Sequence, residues 1–259
     1  IMRRHVGEMA DLIGPRASLI EFGSGSSAKT GRLLNAMHAP AAYVPVEISK
    51  DHLVNAAQRI AEEYEHVEVL PVCADFTQPF ALPSPEVMPE RNVVYFPGST
   101  IGNFYPEEMH ALLQTMARIA KAGGGLLIGV DLKKDNGVLK AAYNDAQGVT
   151  REFNLNILKR INRELNANFD LHAFTHRAIY NEAMGRIEMH LVSQAQQTVN
   201  IGHHAVQFAQ GEYILTECSH KFTVDEFADH AAKAGFAQQH VWVDEQQLFS
   251  VHFYRYDGA

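Results

Sequence analysis

Residues 19–30 read "LIEFGSGSSAKT": a carboxylate, two glycines, a lysine and a threonine packed behind a short apolar run. Glycine turns between a strand and a helix hold nucleotide groups, because a residue without Cβ adopts positive φ and lets backbone N–H groups reach the ligand. Three ligands compete for this loop. A P-loop needs Gly, four residues, Gly, Lys and then Ser or Thr. Counted from Gly23, Ala28 stands where the second glycine belongs, just before Lys29 and Thr30, and its Cβ resists positive φ. The dinucleotide fingerprint G-x-G-x-x-A is met by Gly23, Gly25 and Ala28, with Glu47 ending the next strand, "YVPVEIS", where it can take ribose hydroxyls. The third reading adds two more acids. Glu21 precedes the glycines, and Asp75 ends a third strand in "CADF", beside Phe76, whose ring can cover an adenine. Acidic residues on successive strand ends suit S-adenosylmethionine, whose sulfonium and amino groups are cationic and which has no pyrophosphate to repel. Each acid alone is an ordinary solvated carboxylate. The three together favour a cofactor crevice.

Other constellations point nowhere. His172 and His176 in "LHAFTH" have the i, i+4 spacing of a helical zinc pair, but Ala173 stands where the acidic residue after the first His belongs, and no third ligand is indicated, so no metal is expected. Cys73 and Cys218 are far apart in sequence, which predicts reduced, buried thiols rather than a disulfide.

Positioning the acids requires strands that alternate with helices. "HVGEMADLIG" has a helical rhythm that Gly14-Pro15 ends, and "SLIEF" is a short apolar strand. Then follow helix "GRLLNAM", strand "AAYVPVEI", helix "LVNAAQRIAEEY", strand "VEVLPVCADF", a proline-rich loop over 78–91, strand "NVVYFPGS", helix "EEMHALLQTMARIAKA" and strand "GGGLLIGVDL". That alternation predicts an α/β fold with a parallel, doubly wound sheet and right-handed crossovers.

After Asp131 the rhythm changes. "REFNLNILKRINRELN" predicts an amphipathic helix with Phe153, Ile157, Ile161 and Leu165 on one face, and "RAIYN", "RIEMHLVSQ" and "QTVNI" are spaced as an antiparallel meander. "TVDEFADHAAKAGF" restores the first pattern, with Thr223 and Glu226 as a capping box and Gly235 closing the helix, and the tail alternates as two last strands. A helix and antiparallel hairpin after the fifth strand resemble the ending of the seven-stranded, Rossmann-like sheet of class I methyltransferases. The first domain is thus predicted over 1–133 and 222–259, interrupted by an inserted α+β substrate-binding domain over 134–221.

The chain has 259 residues, 46% of them hydrophobic, and a net charge of −8, enough to bury a large core and the wrong sign for a nucleic-acid backbone. No apolar run is long enough to span a bilayer, and no charged-then-apolar stretch of the secretory type is read in this sequence. A cytoplasmic, monomeric protein acting on a small molecule, with no nucleic-acid or membrane partner, is expected.

With "LIEFGSGSSAKT", "YVPVEIS", "FPGSTIGNF" and "NRELNANFDLHAFTH" in their order, the sequence resembles the L-histidine Nα-methyltransferases of ergothioneine biosynthesis. The likeness extends over essentially the whole chain, including "AYNDAQGVTREFN" and "RIEMHLV". It implies trimethylation of L-histidine to hercynine with S-adenosylmethionine as methyl donor. Gly23 and Lys29 would then contact the cofactor, Glu47 the ribose, and Asp75 with Phe76 the adenine. Family members often carry Asp at the ribose position; Glu47 keeps the acceptor oxygens and lengthens the reach. Gly98 and Asn103 would receive the amino acid's α-amino and carboxylate groups, with Asn103 in contact with the reacting amine, and Tyr143 would donate to the carboxylate. Met189 would line the imidazole pocket, and Glu217 and Ser219 would hydrogen-bond the two ring nitrogens. The resemblance also implies aromatic residues upstream of Ile1 that complete the pocket.

Without the resemblance, Glu217 and Ser219 read as alternating polar residues of an ordinary strand. Two rivals keep the fold. One methylates the amine of a tryptophan derivative, but an indole has one donor and no acceptor and so no use for both Glu217 and Ser219. The other is a non-catalytic module that senses S-adenosylmethionine or an amino acid. A NAD-dependent oxidoreductase rests on G-x-G-x-x-A alone.

Overall fold

The computed structural model describes residues 1–24 and 28–258. Gly25 of the glycine fingerprint, and the side chain of Ala28, lie outside the described residues. The chain divides into two units, Ile1–Leu132 with Phe222–Ala259, and Lys133–Lys221.

In the first unit, strands β1 (Ala17–Phe22), β2 (Ala42–Glu47), β3 (Val72–Cys73), β4 (Arg91–Phe96), β5 (Gly124–Asp131), β11 (Phe236–Val243) and β12 (Phe249–Tyr256) form one sheet in the order β11-β12-β5-β4-β1-β2-β3. β1 and β5 are buried along nearly their whole length because helices cover both faces of a parallel sheet. Strand alternation then splits the core in two. Ile20, Phe22, Val94, Phe96, Leu126 and Ile128 pack under α4 (Pro106–Ala120) and α7 (Val224–Lys233), while Leu19, Tyr43, Val93, Tyr95 and Leu127 pack under α1 (Met2–Ile13), α2 (Ala28–Ala36) and α3 (Lys50–Glu63). β12 runs antiparallel to β5 over its full length, Phe249 opposite Asp131 and Tyr256 opposite Gly124. The Thr223–Glu226 capping box starts α7 as the sequence predicts.

Two expectations for this unit need correction. "VEVLPVCADF" does not make a full strand. Pro71, which has no N–H to give a ladder, separates a single bridge at Val69 from the Val72–Cys73 pair. Cys73, at that short edge, is exposed rather than buried; Cys218 is buried.

The second unit contains α5 (Asn136–Tyr143), α6 (Val149–Glu164), and strands β6 (Phe174–Asn181), β7 (Arg186–Ser193), β8 (Gln197–Ile201), β9 (His204–Phe208) and β10 (Tyr213–His220). β10, β7 and β6 form a three-stranded antiparallel sheet, and β8 and β9 a separate ribbon. Of the predicted apolar face of α6 only Ile161 packs against the core; Phe153, Ile157 and Leu165 are exposed, and Asn154 and Leu158 are buried. Leu158 meets Phe174 and Leu191 of the sheet. Asn154 replaces an apolar residue on the inner face because it is fully engaged. Its amide donates to His176 Nδ1 (2.9 Å) and the His190 carbonyl (3.3 Å), and its Oδ1 accepts from Thr216 (2.6 Å). His172 lies in a 3-10 turn and His176 in β6, so the i, i+4 spacing does not put them on one helix.

The chain leaves and re-enters the first unit side by side. Leu132 bridges Phe222, and the Phe222 N–H donates to the Asp131 carbonyl (3.2 Å). No helix among the described residues is long and apolar enough to cross a membrane.

Candidate active site

The strand order reverses at β1, which has β2 on one side and β4 on the other. In open α/β sheets the carboxyl ends of strands at such a switch leave a crevice for ligands. Here they frame a cavity of about 220 Å3 lined by Glu21, Phe22, Gly23, Ser24, Lys29, Thr30, Phe76, Phe96, Pro97, Gly98 and Thr100.

Gly23 takes φ +72°, a conformation that favours glycine, while its N–H donates to the Val46 carbonyl (2.9 Å), so the chain turns sharply as it leaves β1. Glu21 is not a free carboxylate at the mouth. It is 2% exposed. It accepts from Thr30 on both oxygens (2.9 and 2.8 Å) and from the Tyr43 hydroxyl (2.5 Å). Burial pushes its carboxyl up to about 7, against the pull of those hydrogen bonds and of the Lys29 charge. Glu21 thereby ties β1, β2 and the first turn of α2 together under the loop. The sequence reading took Thr30 only as a P-loop position and passed over Tyr43, since nothing local shows that they converge on Glu21.

Of the cofactor residues read from the sequence, Gly23, Lys29 and Phe76 line this cavity. Phe76 stacks on Phe22 (centroids 5.1 Å apart, 16° between planes) and meets Phe96 edge-on, which fixes its ring at the cavity wall. Glu47 and Asp75 are not among the lining residues. Glu47 ends β2 and accepts the Ser49 N–H (3.0 Å). Asp75 is exposed, and its Oδ1 accepts from the Thr77 N–H (2.9 Å) and hydroxyl (2.7 Å), which hold the carboxyl below its usual range. Gly98 follows β4 and lines the cavity with Thr100, a residue the sequence reading missed; Asn103 is exposed at the end of the 3-10 turn Thr100–Asn103. A glycine turn of positive φ, an aromatic wall and a cation at a helix start fit an adenosyl amino acid.

The second unit gathers the remaining residues on one sheet face. Residues directly opposite in antiparallel strands point the same way. Ala178, Met189 and Glu217 form one such row and Tyr180, Ile187 and Ser219 the next. Leu139 and Tyr143 of α5 pack against Ala178 and Ile187 of this face. Met189 is buried and Glu217 half-buried. Burial raises the Glu217 carboxyl above its ordinary range, and the nearby Lys221 ammonium opposes that rise. The Tyr143 hydroxyl donates to Ser219 Oγ (3.0 Å). Lys221 donates to both, at 2.7 Å to Ser219 Oγ and 3.1 Å to Tyr143 Oη. The sequence reading passed over Lys221, although "ECSHK" alternates Glu217, Ser219 and Lys221 onto one side of an extended chain.

The fold is that of the S-adenosylmethionine-dependent class I methyltransferases. The methyltransferase CcbJ of Streptomyces caelestis superposes with a TM-score of 0.56 at 13% identity, over 98% of this chain and 94% of that one. The family is specified by sequence. The family described as histidine-specific, S-adenosylmethionine-dependent methyltransferases matches residues 1–256. The chain is 42% identical to the histidine N-alpha-methyltransferase of Mycolicibacterium smegmatis, over 88% of this chain and 71% of that protein. It is 40% identical to that of Mycobacterium tuberculosis, over 90% and 74%. This chain belongs to the histidine-specific methyltransferases, and S-adenosylmethionine is its methyl donor.

Proposed function

We propose that the chain methylates the α-amino nitrogen of L-histidine three times, giving hercynine for ergothioneine biosynthesis. The observation that carries the substrate is the sheet face of the second unit, where a carboxylate, Glu217, and a hydroxyl, Ser219, stand two residues apart on one strand with Met189 opposite Glu217. A neutral imidazole has one donor and one acceptor nitrogen, and this pair satisfies both. The relatives' names agree with it. In this reading Gly23, Lys29, Glu47, Asp75 and Phe76 hold the cofactor, Gly98 and Asn103 receive the amino-acid backbone, and Tyr143 acts through Ser219. The second unit is the substrate-binding domain.

S-adenosylmethionine supplies an electrophilic methyl carbon. When bound, it would transfer that carbon to nitrogen with loss of its S–C bond, so the chain's own task is to align a neutral amine lone pair with that carbon and exclude water. One proton leaves the nitrogen before each attack. The amine must therefore sit against polar rather than anionic contacts, a role that suits the Asn103 amide. Action as a cytoplasmic monomer completes the reading.

The test is mass spectrometry of products from S-adenosylmethionine and histidine, with tryptophan and tyrosine in parallel. One, two and three methyl increments on histidine alone are expected. A single increment that never advances would overturn trimethylation, and methylated tryptophan would move the substrate.

A further inference from the structure

Lys221 is 2% exposed, among the most buried large side chains of the chain, and lysine is almost never buried without a reason. Its Nζ lies 2.7 Å from Ser219 Oγ, 3.1 Å from Tyr143 Oη and 5.1 Å from the centre of the Tyr143 ring. The Tyr143 hydroxyl in turn donates to Ser219 Oγ at 3.0 Å.

With the Tyr143 hydroxyl donating to Ser219, the donor inventory of this triangle sets what each group has left to offer. An ammonium only donates; a hydroxyl has one proton and two lone pairs. Ser219 Oγ accepts from Lys221 and from Tyr143, which fills both lone pairs. Its own O–H is all it has left to offer. Tyr143 has given its proton to Ser219 and keeps only acceptor capacity, part of which Lys221 uses.

We propose that Lys221 is a positioning residue that makes Ser219 an obligate hydrogen-bond donor, so that the site reads the substrate ring in one tautomer: a bare nitrogen toward Ser219 and an N–H toward the Glu217 carboxylate. This rests on the reading that Glu217 and Ser219 hold the imidazole. The consequence is chemical selection. An imidazolium carries N–H on both nitrogens and meets a donor at Ser219, so the protonated ring is rejected and only the neutral ring binds. Without the Lys221 ammonium, one Ser219 lone pair is released, its hydroxyl can turn, and an imidazolium N–H finds an acceptor.

The experiment measures kcat and KM for histidine at pH 8 and pH 5.5 in the wild type, Lys221→Met and Lys221→Arg, with S-adenosylhomocysteine binding by calorimetry as the control for folding. A free imidazole of pKa about 6.5 is roughly one-tenth neutral at pH 5.5, so KM in the wild type is expected to rise about tenfold on acidification. Lys221→Met should raise KM at pH 8 more than it lowers kcat, and its acid rise should shrink to about threefold or less. Lys221→Arg, still a pure donor, should keep the wild-type slope. A Lys221→Met profile parallel to wild type, a Lys221→Arg profile as flat as that expected of Lys221→Met, or a flat wild-type profile would overturn the role of Lys221 while leaving histidine as substrate. A wild type that binds S-adenosylhomocysteine yet leaves histidine unmethylated would overturn both.

Discussion

Glu21 lines the cofactor cavity and at the same time holds the fold together beneath the loop. Its place two residues before Gly23 was legible in the sequence; its engagement was not, because Thr30 and Tyr43 reach it from α2 and β2. Its folded pKa of about 7 stands above the unfolded value of 4.5. Protonation therefore contributes stability that is fully present below about pH 4.5 and lost as pH rises through about 7. Glu21→Gln does not titrate, so the melting temperature of this variant should gain on the wild type between pH 5 and pH 8, by on the order of 3 kcal/mol in stability at most. Thermal melts of both proteins at the two pH values check it; a constant difference would mean that Glu21 does not titrate in that window. Glu217 and Ser219 are the opposite case. Their alternation is visible in "TECSHK", but only the resemblance gave them a ligand, since alternating polar residues also describe any strand with one wet face.

Elements were more legible than their ends and faces. Continuous apolar runs identified β1, β2, β4 and β5 because both sides of that sheet are covered, and the burial of β1 and β5 bears this out. The period of α6 misled for a physical reason: counting apolar residues cannot foresee that the inner face will include Asn154, satisfied by three partners, while Phe153 stays 66% exposed. β5 also carries a tight constraint at Gly129, where a Cβ would lie 2.4 Å from the Pro97 carbonyl oxygen and 2.7 Å from the Phe249 ring. Gly129→Ala must push the end of β4 away, at about 1–3 kcal/mol. Because Pro97 and Gly98 line the cavity, the affinity for S-adenosylhomocysteine should fall roughly tenfold, about 1.4 kcal/mol. Calorimetric titration beside a thermal melt checks both, and an unchanged affinity in a destabilised protein would separate the β4 end from cofactor binding.

At the scale of the whole molecule, the bridge between Leu132 and Phe222 means that the first unit's chain can be closed across that gap by a very short link. A chain with residues 133–221 replaced by a few glycines and serines should fold, bind S-adenosylhomocysteine within about threefold of the full protein, and leave histidine unmethylated, since each doubling of a flexible loop changes its closure cost by only about 0.6 kcal/mol. Circular dichroism and calorimetry decide it; loss of binding would show that the second unit is needed to hold the cofactor. The same connectivity sets an order of events on the ribosome. β5 is complete long before β12, its partner along one whole edge, has been made, roughly 120 residues later. At about 5–20 residues per second the nascent chain carries that apolar edge open for on the order of ten seconds. Through that interval β5 is an unpaired strand edge of the kind that recruits other chains, so synthesis slowed past residue 132 lengthens the time in which this protein is expected to aggregate.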